Sequence, residues 1–271
     1  MMCLSGTVSA QTTVNYTEFE QKVLDYSQTL KQSVSQRTAM QKAMKAAKTA
    51  FFPAVDATGS YQYRINKYDM DFGGMAVPME HDSYSAEVGV VQPIYAGGSI
   101  YHTYKASQIQ SQIADKSVDL TTDNLIYAAE ASYWGTAAQK EMYKTMCQYV
   151  EIISQLTKVL QDKYDDGYIS KTDLIQMQTR LKEAELQRSS SYQSYQIALQ
   201  NMNVLMGLEP DKEVGLVDSI FVELPLPAYV GADAALNVRP DYAISQLDVD
   251  YQKRQVKLAA AKYNPSLSIG F

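Results

Sequence analysis

The sequence predicts a mainly α protein with a β-hairpin: long antiparallel helices joined to strands of membrane-crossing length. Three observations carry that reading. Residues 99–166 contain one glycine, Gly135, and no proline, so nothing in them obliges a helix to stop. A glycine-bearing gap at 167–170 then separates that run from a second helical stretch. Finally, residues 54–66 and 84–95 alternate apolar and polar side chains with a period of two.

Met1 to Ala10 has the look of a signal-peptide remnant. Val8-Ser9-Ala10 sets small residues where a signal peptidase cuts, and polar Gln11-Thr12-Thr13 follows. An ordinary unstructured N-terminus is the alternative. A first helix is expected over 16–50, a stretch free of Gly and Pro and about 50 Å long. Pro53 ends it, and the period changes.

In the first strand, 54–66, Val55, Ala57, Tyr61, Tyr63 and Ile65 alternate with Asp56, Thr58, Ser60, Gln62 and Arg64. Lys67 to Asp82 reads as a loop. In the second strand, 84–95, Tyr84, Ala86, Val88 and Val90 stand against Ser85, Glu87 and Gly89. A half-apolar pair can pack on a soluble core, or its apolar face can meet lipid while its polar face lines a lumen. Ten residues suffice to cross the hydrocarbon layer when tilted. The helices begin at the strand ends and run away from them, offering no core, so the lipid reading is preferred. Two strands cannot close a barrel, so closure needs more strands from this chain and from other subunits.

Gln92-Pro93-Ile94-Tyr95-Ala96-Gly97-Gly98 leads into the long helix, 99–166, which would span about 100 Å. Its apolar positions Ala106, Ile109, Ile113, Met142, Met146, Val150, Ile153, Leu156 and Leu160 recur at steps of three and four. Such a strut needs partners of equal length. Gly167 is placed as the C′ residue, Ser170 as an N-cap and Asp173 as its capping-box partner. So short a gap forces an antiparallel return helix, 171–206, about half as long as the strut.

Residues 208–236 are expected to be an irregular connection, punctuated by Pro210, Pro225 and Pro227. Asn237 is expected to cap the next helix, with Pro240 in its first turn. That helix repeats the first. Setting Pro265 on Pro53 aligns Lys257–Asn264 with Lys45–Phe52, and Leu267, Ile269 and Phe271 then alternate with Ser266, Ser268 and Gly270. Residues 237–271 thus start a second repeat of 11–207, and the parent protein is expected to continue past Phe271.

The formal charge of −6 argues against nucleic acid. Two cysteines and two histidines make neither a disulfide framework nor a zinc cage, so no metal is expected. His81, in the expected loop, and His102 are read as solvated surface. No nucleophile elbow, Walker loop or paired-carboxylate site appears, so no enzyme activity and no cofactor are expected. Gly97-Gly98 before a helix could cradle a phosphate, but no lysine-serine pair follows, and a strand-to-helix bend is simpler. Of the 21 tyrosines, Tyr61, Tyr63, Tyr84, Tyr95, Tyr101 and Tyr104 flank the strands, as interfacial belts do; packing between helices is the alternative.

Five segments in this order resemble the TolC-like outer-membrane efflux proteins. They are Phe52-Pro53, Gln92 to Gly98, Lys163 to Leu174, Leu205-Met206-Gly207-Leu208, and Asn237-Val238-Arg239-Pro240-Asp241. The resemblance implies an α-barrel/β-barrel duct in the outer membrane of a Gram-negative bacterium. A homotrimer would build the transmembrane barrel and extend a helical tunnel into the periplasm. It implies an outer-membrane channel of a tripartite efflux or type I secretion system, contacting a periplasmic adaptor (membrane fusion protein) and an inner-membrane pump. Gly167, Tyr168, Ser170, Lys171 and Asp173 would form the adaptor-docking tip, though they also make a well-capped turn and nothing more. Val55, Ala57, Tyr61, Tyr63, Ile65, Tyr84, Ala86, Val88 and Val90 would face outer-membrane lipid. The competing function is a periplasmic coiled-coil adaptor, whose β modules would bury a core instead.

Overall fold

The computed structural model describes residues 12–63, 65, 69–72, 75–78, 82–221, 228–229 and 231–271. The expected signal remnant 1–10 and His81 lie outside them. The chain divides into two units. One joins the N-terminal stretch up to Val34 with Val118–Leu236; the other joins Ser35–Ser117 with Asn237–Phe271.

The first unit begins with strand β1 (Thr12–Val14) and helix α1 (Tyr16–Tyr26). Asn15 caps α1, its Oδ1 accepting the Glu18 N–H at 2.8 Å. The single first helix expected over 16–50 is in fact two. Ser27 leaves helical geometry at ψ 116°, and its Oγ accepts the Leu30 N–H, starting α2 (Gln28–Thr49). A serine competes with the helix for its own backbone, which neither Gly nor Pro was needed to do.

In the second unit, β2 (Ala54–Tyr63) is followed by β3 (Asp69–Phe72), β4 (Met75–Pro78) and β5 (Asp82–Ala96). The loop expected over 67–82 therefore carries a small antiparallel pair, β3 with β4. Gly73-Gly74 between two four-residue strands is hairpin spacing. Helix α3 (Ser99–Asp165) runs for 67 residues, one short of the expected bound, and Gly135 does not interrupt it. Helix α4 (Lys171–Leu205) returns.

Residues 208–236 are not irregular throughout. They contain β6 (Val214–Leu216), which pairs in parallel with β1, and most of α5 (Ala232–Val238). Asn237 is not a cap: it lies inside α5. The cap position of α6 (Pro240–Ala260) is Arg239, which offers no side-chain bond to the helix. Arg239 instead grips Asp241 through both Nε and Nη2. A 3-10 turn, Ala261–Tyr263, leads on to β7 (Ser266–Gly270).

The first unit has a core built of Val14, Phe19, Val23, Tyr133, Leu199, Met202, Met206, Val214 and Leu216. At its centre Tyr133 is fully buried among the rings of Tyr16, Phe19 and Trp134, with centroids 5.4–5.6 Å away. Its Oη donates to Asp218 Oδ2 at 2.7 Å and lies 3.1 Å from the Val14 carbonyl. The same Oδ2 accepts the Tyr16 N–H at 2.8 Å, so one carboxylate ties the segment just after β6 to the start of α1.

Burial, then the bond to Asp218, pushes the Tyr133 phenol well above its ordinary value, and burial beside Glu20 raises Tyr16 to about 12. The unfolded chain therefore releases these protons first as pH rises. Folding stability should be flat below about pH 10 and fall above it. Urea midpoints between pH 8 and 11.5 would check this, and Tyr133→Phe should flatten the decline; an unchanged decline in that variant refutes the assignment.

The strut departs from a single buried face. Ala106, Ala114, Ala129, Tyr133, Ala137 and Val150 are buried, but Met142 and Leu156 are exposed, at 53% and 42%. Small residues bring helix backbones close, which is how α3 buries surface at its four alanines. Helices α2 and α6 bury no side chain fully.

Candidate functional site

Two places gather the residues singled out from the sequence: a three-stranded sheet and the turn between α3 and α4. The sheet has strand order β2-β5-β7, all antiparallel. Its register pairs Val55 with Val90, Ala57 with Val88, Gly59 with Ala86 and Tyr61 with Tyr84. Directly opposed residues point to the same face, so two independent apolar stripes become one surface. On the third strand, Ile269 opposes Gln92, and Phe271 exchanges backbone bonds with Val90. Leu267, Ile269 and Phe271 therefore join that face too.

The other face carries Thr58 opposite Glu87, Ser60 opposite Ser85 and Gln62 opposite Ser83. The two serine hydroxyls are 2.9 Å apart. Tyr63 opposes Asp82 at the far end, and Tyr61 Oη donates to Asp82 Oδ1 at 3.0 Å. Ile65 lies beyond β2 and is exposed. Val55, Tyr61, Tyr84 and Val88 are each at least two-thirds exposed. A bulge between Pro93 and Tyr95 shifts the register beside β7, which bends the sheet near its helical end.

From β5 the chain enters α3 through Gly97 and Gly98, at φ 62° and 88°. Both sit where a side chain is strained. A Cβ on Gly97 would also stand 2.5 Å from the Ala261 carbonyl oxygen, and Asn264 Nδ2 donates to the Gly97 carbonyl at 3.0 Å. The double glycine is the bend expected of it. His102 is half-buried, not solvated, because it packs beside this bend, near Gly98 and Tyr101.

The tip is a Schellman turn. Gly167, at φ 79°, donates to the Tyr164 carbonyl, and Tyr168 N–H reaches back to Lys163 at 2.8 Å. Ser170 and Asp173 exchange both bonds of a capping box: Asp173 N–H donates to Ser170 Oγ, and Ser170 N–H to Asp173 Oδ2. Tyr168 is 80% exposed, and Gly167, Ser170, Lys171 and Asp173 are exposed beside it. Leu174, one residue on, is buried and anchors the turn. All five tip residues thus lie on one open surface.

Among the described residues no cluster of three His, Cys, Asp or Glu could hold a metal, and no helix is long and apolar enough to cross a membrane.

The fold is that of solved outer-membrane channels. Similar structures include the CmeC outer membrane channel of Campylobacter jejuni, at TM-score 0.74 and 15% identity, covering 99% of this chain and 60% of that one. VceC of Vibrio cholerae gives TM-score 0.75 at 14% identity, covering 94% and 61%. The open state of the Neisseria gonorrhoeae MtrE channel gives 0.68 at 17%, covering 94% and 56%. The chain spans about 60% of the length of these channels. No curated protein sequence matches it. The family model described as Outer membrane efflux protein matches residues 20–208. The chain belongs to that TolC-like family, whose members are not enzymes but outer-membrane channels reaching into the periplasm.

Proposed function

We propose that this chain is part of a passive exit duct, a homotrimer whose sheet crosses the outer membrane and whose hairpin tip docks a periplasmic adaptor. One observation carries this reading. The register of β2, β5 and β7 collects apolar side chains on one uncovered face and polar ones on the other. An uncovered apolar face of this size demands a partner, and lipid is the partner that leaves the opposite face wet. Both edge strands, β2 and β7, lack an outer neighbour among the described residues. Unpaired edges in a bilayer are costly, and other subunits' strands would satisfy them. The exposed apolar residues of the helices, such as Tyr127 at 74% and Leu186 at 71%, would likewise pack against neighbours in a tunnel. The proposed residues are Val55, Ala57, Tyr61, Tyr63, Ile65, Tyr84, Ala86, Val88 and Val90 for lipid, and Gly167, Tyr168, Ser170, Lys171 and Asp173 for the adaptor. An energised pump would drive the transport, so the duct needs no tight substrate site.

The docking role is tested at Gly167. Valine at its positive φ strains the turn by about 1–2 kcal/mol, too little to unfold two helices of 67 and 35 residues. The deformed turn would recur in each subunit around the ring. In the native host, Gly167→Val should leave trimers at normal abundance on gels, reduce adaptor crosslinking at Lys171→Cys, and raise drug sensitivity. Normal crosslinking and normal efflux would leave the tip as a capped turn only.

A further inference from the structure

Within the second unit, a groove of about 350 Å³ lies between the first turns of α3 and the second half of α6. Lys105 borders it on α3; Asp250, Lys253, Arg254 and Lys257 border it on α6. The α6 residues are spaced i, i+3, i+4, i+7, which sets them on one face. Four cations and one carboxylate give the groove a local charge of +3, in a chain whose total is −6. Lys253 Nζ is held by Asp250 at 2.8 Å, and Lys105 Nζ by Gln108 Oε1 at 3.0 Å. Among the described residues Arg254 makes no hydrogen bond and feels the Asp250 carboxylate only as a nearby charge, and Lys257 has no hydrogen-bond or ion-pair partner. Like charges this close repel, and an acidic chain has carboxylates enough to quench them, yet only Asp250 is there.

Position narrows the counter-ion. Lys105 is six residues into α3, about 9 Å along its axis, and Lys257 precedes β7 by nine residues. Tyr95 and Tyr101, each half exposed, stand at the strand-to-helix join. The order along the chain is thus apolar sheet, tyrosines, cations, which is the order of hydrocarbon, interface and headgroup phosphate. We propose that this groove binds the phosphodiester headgroup of an acidic phospholipid, Arg254 bidentate on its oxygens and Lys257 and Lys105 beside it. The inference rests on the membrane reading of the sheet, so its test must report the two separately.

The full chain is reconstituted into phosphatidylcholine vesicles with or without phosphatidylglycerol. A bimane on Val88→Cys, quenched by brominated acyl chains, reports whether the sheet has entered the bilayer. Acetylation rates of single lysines, read by mass spectrometry, report the groove. Phosphatidylglycerol should slow acetylation of Lys105 and Lys257 and leave exposed Lys158 of the other unit unchanged. Arg254→Gln should weaken that protection about fivefold, the effect of one cation at an anionic surface, with quenching unaltered. Quenched bimane with equal acetylation in both vesicles overturns the headgroup site and leaves the sheet in the membrane. Unquenched bimane overturns the membrane reading and, with it, this inference. Protection by inorganic phosphate alone that equals protection by the vesicles overturns the lipid assignment in favour of a free anion.

Discussion

Tyr133→Ala is expected to unfold the first unit at room temperature or bring it to the edge of unfolding. Removing a buried aromatic costs about 3–5 kcal/mol, which is most of the stability of an ordinary domain. The loss here has two parts. The ring leaves a cavity among Tyr16, Phe19 and Trp134, and the lost hydroxyl takes one donor from Asp218. Tyr133→Phe keeps the ring and removes only the hydroxyl, so it should cost about 1–3 kcal/mol. Trp134 is the sole tryptophan and meets Tyr133 edge to face at 5.4 Å, making it a local probe. Urea unfolding followed by its fluorescence should rank wild type, Phe and Ala in that order. Equal midpoints for all three would show that Tyr133 does not organise this core.

The second large effect belongs to the sheet. Val88→Asp sets a charge on the apolar face, opposite Ala57, with no cation near in the register. A charge facing lipid costs on the order of 2–4 kcal/mol at mid-depth, less for Asp than for Lys or Arg. Gln62→Asp puts the same charge on the polar face, opposite Ser83, and should assemble normally. This pair is cleaner than Tyr61→Asp or Thr58→Asp. Tyr61→Asp would put a carboxylate in place of the hydroxyl that now bonds Asp82, and Thr58→Asp would oppose Glu87. Heat-resistant trimers counted in isolated outer membranes should be depleted by Val88→Asp alone. Equal assembly of both variants, or failure of Gln62→Asp instead, reverses the assignment of faces.

The long elements were legible because many residues vote for each. Sixty-seven positions without proline specify α3, and its end at Asp165 follows from one glycine and one capping box. The apolar face of the sheet was legible because alternation survives whatever the register. Short elements were not. Three residues at Thr12–Val14 and three at Val214–Leu216 have no period to read, and each becomes a strand only because the other is beside it. Ser27 breaks a helix by a local side-chain bond that composition hides. Tyr133 escaped notice because a tyrosine inside a strut resembles the interfacial tyrosines near the strands; only Asp218, far along the chain, makes its hydroxyl a buried one. Lys253, Arg254 and Lys257 did not stand out in the sequence, because the facing Lys105 that makes them a groove is supplied by tertiary packing.

The parallel pairing of β1 with β6 also sets a timetable. Tyr16 and Asp218 meet across 202 residues. A chain emerging from its amino end therefore leaves β1 and the Tyr16 N–H without these partners until Asp218 has been delivered. The hairpin of α3 and α4 can zip from Gly167 without waiting, since its contacts are local, and in doing so it shortens the loop that β1 must close. Secretion should thus yield a long-lived species with its helices paired and its first strand unclaimed. That is the form on which a holding chaperone, or a neighbouring subunit with the same open edge, would act.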